Sequence, residues 1–139
     1  ANPRNEGFAG GNNRGFEIAT GDYYLMLNND TEVPPGFLEP LVARFQSDAT
    51  IGVVCPKLLY FEQPDIIQYA GYTPIHPITG RGHGIGYLEK DRGQYDQACP
   101  TARAHGAAMM VSKTAFNKVG PMFEDYFLYY EEMDYNASI

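Results

Sequence analysis

Basic residues are scarce in this chain: 10 Lys and Arg stand against 17 Asp and Glu, with no Lys/Arg-rich run. That balance leaves no electrostatic footprint for a nucleic-acid backbone, so no nucleic-acid partner is expected. A phosphate-bearing ligand would need a cation or backbone amides instead. Cysteine is nearly absent as well. Cys55 and Cys99 lie far apart without metal-ligand spacing, and a single pair makes no disulfide framework. Both read as reduced thiols of a cytoplasmic protein, with Cys55 in a strand. No apolar run reaches the length of a membrane-spanning helix, and the first residues carry no signal-peptide pattern. Membrane contact would then be peripheral, at the inner face. Internal repeats and low-complexity tracts are also lacking. So is an initiating Met: the chain opens in ANPRNEG and stops at DYNASI, just past a helix start, which reads as an excised segment.

What remains is ordinary globular material. At 139 residues, 44% hydrophobic and 14% aromatic, the chain can build one domain around one core. GGNNRGFEIATG predicts a short helix capped by Asn12 or Asn13, with Phe16 and Ala19 on one face and Gly21 as its stop. Residues 22–27 predict a buried strand. Beyond the polar NNDTEV turn, Pro34 and Pro35 suit a helix N-terminus, and Phe37, Leu38, Leu41, Val42 and Phe45 recur at helical spacing until Ser47 and Asp48. IGVVCP predicts a second buried strand closed by Pro56. Strand, helix, strand in that order implies parallel pairing through a right-handed crossover. From Glu62 to Pro100, Gly and Pro are frequent and only short strands such as IIQYAG are expected, a pattern that serves binding or mobility. HGAAMMVS returns to strand character, SKTAFNKV predicts a helix with Gly120 past its end, and YYEEMDYNASI opens an acidic helix.

Two acidic constellations carry chemistry. Asn28, Asn29 and Asp30 hang on the end of the first strand, a rigid place to hold oxygen ligands. Hard cations such as Mg2+ and Mn2+ take such ligands, with one or two carboxylates and substrate phosphates completing the shell. The bland alternative is a polar turn in which these side chains satisfy backbone amides. A calcium loop over Asn28, Asp30, Glu32 and Glu39 fails because Val33 replaces the required glycine and Pro34-Pro35 would break it. The second constellation is Glu131, Glu132 and Asp134, behind the aromatic run FLYY. A carboxylate packed against apolar rings loses solvation and becomes a stronger base, whereas the bland reading is an acidic first helical turn. His76 and His83 sit among Pro and Gly, as a solvated loop would place them.

GFAGGNNRG, then ATGDYYLMLNNDTEVPPGFL, then HGAAMMVSKTAFNKVGPMFEDYFLYYEEMD resemble, in that order, the family 2 inverting glycosyltransferases, especially the bacterial rhamnosyltransferase-like branch acting in cell-surface polysaccharide synthesis. The resemblance spans nearly the whole chain. It implies an α/β chain forming part of a GT-A fold, a Rossmann-like, mostly parallel sheet flanked by helices that binds a nucleotide-diphospho-sugar and a divalent metal, Mg2+ or Mn2+. It places residues 1–139 in the central part of one transferase domain. Asn28-Asn29-Asp30 then stands where the family has its DXD-type metal motif, with Asp30 reaching metal and diphosphate and Asn28 departing from Asp. Glu132 stands at the catalytic base of the ED motif, with Glu131 and Asp134 as neighbours that could share the role. Gly11, Asn12, Asn13, Arg14 and Asn29 become donor contacts, and His105 and Gly106 lie on the acceptor side. The implied partners are a nucleotide-sugar donor and a saccharide or lipid-linked saccharide acceptor.

The family's first strands, which build the nucleobase pocket, have no counterpart here. The segment alone is therefore expected to bind donor poorly and be inactive, and an exposed sheet edge would favour a homodimer. A carbohydrate-binding module with a degenerate site and a glycoside hydrolase with paired carboxylates are the competing readings.

Overall fold

The computed structural model describes residues 4–127 and 129–139. Its elements follow in the order α1 (Gly7–Ile18), β1 (Tyr23–Leu27), α2 (Leu38–Ser47), β2 (Val53–Val54), β3 (Leu58–Leu59), β4 (Ile67–Tyr69), β5 (Ala108–Ser112), α3 (Lys113–Val119) and α4 (Glu131–Ser138). The class is α/β, as the alternating pattern implied. Among the described residues no helix is long and apolar enough to cross a membrane.

The pairing departs from the parallel sheet expected. The main sheet has the order β1-β5-β2, and both contacts of β5 are antiparallel, running Tyr23↔Ser112 to Leu27↔Ala108 on one side and Val53↔Val111 on the other. β1 and β2 run the same way but never touch, because β5 lies between them. The composition of β5 explains its place: Ala108, Met109, Met110 and Val111 are all buried, so this strand needs cover on both faces and both edges. Cys55, expected in a strand, lies just past β2 as a half-buried free thiol.

Helices cover the two faces of this sheet. On one, Met26, Met109 and Val111 pack with Ala9 of α1, Ala115 of α3, Met122 and Tyr135 of α4. On the other, Met110 meets Leu41 and Phe45 of α2, while Tyr23 stacks on Phe45 at 4.8 Å between ring centroids. α2 begins at Leu38, beyond the expected Pro34-Pro35, because Gly36 at φ 79° redirects the chain first. α3 matches its expected span and is capped by Ser112, whose Oγ accepts from Ala115 N–H at 3.1 Å.

α1 starts six residues before the point a cap at Asn12 would set, so Asn12 and Asn13 lie inside it and cap nothing. Glu6 holds the cap position without a side-chain bond, and Asn5 Oδ1, one residue before it, accepts from Gly7 N–H at 3.0 Å. Gly7 has φ 70°, and a Cβ there would overlap the Phe127 carbonyl oxygen, so both conformation and space require glycine. Residues 58–103 form a side lobe. β3 and β4 pair across a bulge, Lys57 bridges Asp91 and Asp96 at 2.6 Å each, and the Tyr69 hydroxyl of β4 accepts from Cys55 Sγ, just past β2, at 3.7 Å.

Candidate active site

The carboxyl end of β1 turns sharply. Thr31 closes the turn, its N–H and Oγ1–H both donating to the Asn28 carbonyl at 3.3 and 2.7 Å, and Asn28 N–H donates to Ala107 O at 2.9 Å. Backbone and threonine thus satisfy the turn by themselves. Among the described residues the side chains of Asn28, Asn29 and Asp30 make no hydrogen bond, and Asn29 and Asp30 are exposed. The bland reading required these side chains to stabilise the turn, and they do not. An open cleft of about 810 Å³ adjoins Asn28 and Asn29, with Gly7, Phe8, Gly11 and Asn12 of α1 on its other side; Asp30, the next residue, is not part of its lining.

Of the donor-side candidates, Gly11, Asn12 and Asn29 meet at this cleft, and two do not. Asn13 is buried: its Nδ2 donates to Met122 O at 2.8 Å and to Glu124 at 3.0 Å, and its Oδ1 accepts from Met122 N–H at 2.9 Å. It ties α1 to the segment after α3. Arg14 pairs with Glu6 at 3.1 Å and Glu17 at 2.7 Å on the outer face of α1. The periodicity of a helix so rich in glycine gave no indication which amide faced inward.

The second acidic group approaches from α4. A Cβ placed on Gly106 would lie 3.6 Å from both Cβ and Cγ of Glu132, and 3.3 Å from Cζ of Phe8. Glu132 is half-buried, Glu131 is buried with Oε2 unpartnered among the described residues, and Asp134 is exposed. Only Glu132 of the three is placed beside Gly106. Asn136, which the sequence did not single out, fixes this geometry. Its amide accepts from Ala104 N–H at 2.8 Å and donates to Ala104 O at 3.3 Å and to Glu132 O at 2.6 Å. Its one-turn spacing from Glu132 was the available signal.

His105 sits between the lobe and α4. Its ring meets Tyr69 edge-on at 5.2 Å, and Nδ1 accepts from Ala107 N–H at 3.1 Å, so the neutral ring carries its proton on Nε2. Burial pushes the imidazole below its usual range; Glu132 opposes that shift and Arg103 adds to it. Tyr69 in turn donates to Arg103 O, and burial raises its phenol. Residues 105–107 therefore form one short span, bonded to Asn28 through Ala107 and packed on Glu132 through Gly106.

For a cation the described residues offer no cluster of three His, Cys, Asp or Glu. What they offer is the Asn28 amide at the cleft and, two positions on, the exposed Asp30 carboxylate, oxygen ligands of the kind a hard divalent ion takes when a diphosphate completes its shell. His76 and His83 lie in the side-lobe loop: His76 Nδ1 accepts from Ile78 and Thr79 N–H, and His83 is exposed.

Residues 1–120 match the sequence model of glycosyl transferase family 2. The chain belongs to that family. It is 29% identical over 135 residues to a low-salt glycan biosynthesis hexosyltransferase of Haloferax volcanii, a match covering 94% of this chain and 42% of the relative. It is 41% identical over 54 residues to the human protein named Probable polypeptide N-acetylgalactosaminyltransferase 8, covering 39% of this chain and 8% of that one. The chain thus spans less than half the length of either relative. For a family 2 chain the cleft between α1 and the end of β1, with Glu132 meeting Phe8 at Gly106, is the natural candidate for the active site.

Proposed function

We propose that the protein is a glycosyltransferase that moves a hexosyl group from a nucleotide-diphospho-sugar to a hydroxyl of a saccharide or lipid-linked saccharide, with inversion, in the synthesis of a surface glycan. The observation that supports it most is the span 105–107, which holds the Asn28–Asp30 turn through Ala107 O and abuts Glu132 through Gly106. The hexosyl class follows the name of the Haloferax relative, and rhamnosyl is the narrower expectation.

In this reading Asp30 and Asn28 would hold Mg2+ or Mn2+, which would supply positive charge to offset that on the departing diphosphate. Gly11, Asn12 and Asn29 bound the cleft that takes the donor. Glu132 accepts the proton of the acceptor hydroxyl as its oxygen bonds to the anomeric carbon. The bond from that carbon to the diphosphate oxygen breaks on the opposite side, which gives inversion in one displacement. His105, neutral and with Nε2–H available, lies on the acceptor side. Glu131 is too enclosed and Asp134 too far out on the helix surface to replace Glu132.

The test is kinetic, on the intact protein. Glu132→Gln keeps the shape and removes the base, and is expected to lower kcat by about 10²–10⁴. Asp30→Asn should lower turnover while leaving thermal stability unchanged, because among the described residues its side chain makes no hydrogen bond. Full turnover in both variants would refute the reading. Sugar release without any nucleotide donor would point to a hydrolase.

A further inference from the structure

Phe8 occupies a position that the acid-based reading does not use. It is the second residue of α1, half-buried, with one part of the ring packed on the core that contains Ala9 and Met109. The remainder lines the cleft beside Asn12, Asn28 and Asn29. Its tip and the stem of Glu132 both close on Gly106, at 3.3 and 3.6 Å from where a Cβ would be. The ring therefore borders Asn28 and Asn29 at the cleft and shares Gly106 with the stem of Glu132. Its backbone is fixed at both ends, N–H donating to Phe127 O at 3.4 Å and the carbonyl accepting from Asn12 Nδ2 at 2.9 Å.

A pyranose has an apolar C–H face and a rim of hydroxyls. A ring with amides around it matches that division, since burying a hydroxyl without a partner is costly and a C–H face needs none. A side chain already immobilised by core packing loses little entropy on binding. We propose that Phe8 is the platform for the transferred hexopyranosyl group, carrying its C–H face between the diphosphate end at Asn28–Asp30 and Glu132. The proposal rests on the transferase reading and adds the residue that recognises the sugar.

Phe8→Leu keeps the apolar volume and removes the flat face, and Phe8→Tyr restores it. With nucleotide-hexose as donor, Phe8→Leu is expected to raise the donor KM about fivefold to tenfold, with unchanged affinity for the nucleoside diphosphate alone. Phe8→Tyr should return KM to near wild type. Melting temperatures measured alongside separate this from a packing role. If Phe8→Leu leaves the donor KM unaltered, or weakens nucleoside diphosphate as much as the donor, the platform is overturned. Should Phe8→Leu fail to fold, Phe8→Met and saturation transfer from phenylalanine protons to bound sugar in the wild type decide, and no transfer overturns it. Glu132→Gln and Asp30→Asn, assayed in parallel, distinguish the failures: if both lose turnover and Phe8→Leu is unaltered, the platform alone is overturned, and full turnover in both sinks the transferase reading with it.

Discussion

The side chain of Asn136 binds the backbone of Ala104 at both polar atoms: Ala104 N–H donates to Oδ1 at 2.8 Å and Nδ2 donates to the carbonyl at 3.3 Å. This pairing holds α4 against the strand approach, one residue before His105, and so fixes where Glu132 stands. Asn136→Leu leaves both Ala104 groups without that partner and should cost about 1–3 kcal/mol in chemical denaturation. It should also lower kcat at temperatures where the variant remains folded. Unchanged kcat would mean that Glu132 is positioned by other contacts.

Asn13 separates a structural amide from a binding one. Its three bonds to Met122 and Glu124 are made within the protein, so Asn13→Ala should destabilise the fold by about 2–3 kcal/mol. Donor KM, measured well below the melting temperature, should stay as in the wild type. Asn12→Ala is expected to do the reverse, raising KM with a small stability change.

These two asparagines show where sequence reasoning stopped. The polar strand tip at Asn28–Asp30, the strand over HGAAMMVS, the α3 helix with Gly120 beyond it and the acidic opening of α4 are all legible, because each depends on local pattern and end signals. Strand order is not. Hydrophobic runs identify β1 and β2 as strands, yet nothing local says that β5, more than fifty residues later, inserts between them. The early start of α1 was hidden for a related reason. Glycine lowers helix propensity, but burial of Ala9, Gly10 and Asn13 against the rest of the chain overrides it. Asn136 and Phe8 draw their importance from contacts with Ala104 and Gly106, about thirty and a hundred positions away.

Gly106 tests how closely the span must fit. A methyl group there would meet Glu132 at an ordinary 3.6 Å but crowd Phe8 Cζ at 3.3 Å, so the Phe8 ring must give by a few tenths of an ångström. Gly106→Ala should lower kcat about threefold to tenfold through displaced reacting groups. Global stability should remain within about 1 kcal/mol of wild type, since the crowded atoms include a movable ring tip.

His105 gives the fold an acid-side dependence. Burial holds its pKa below the unfolded value of about 6.5, against the pull of Glu132 and with the help of Arg103. The unfolded chain thus takes up the proton first. The contribution is complete above about pH 6.5 and is lost as the pH falls through the lower folded value. Denaturant midpoints should therefore fall between pH 7 and pH 5, and His105→Gln should flatten that part of the curve. On the alkaline side Tyr135, raised by burial to about 12, contributes stability that is complete below pH 10 and lost above it.

Crystals of the intact protein with Mn2+ and a nucleoside diphosphate, examined by anomalous scattering, measure the arrangement itself. The expected result is a manganese peak on the Asp30 carboxylate, diphosphate oxygens completing its shell, and the Glu132 carboxylate facing them across the ring of Phe8. Manganese and diphosphate bound away from Asp30, or Glu132 turned to the opposite face of the sheet, would contradict it.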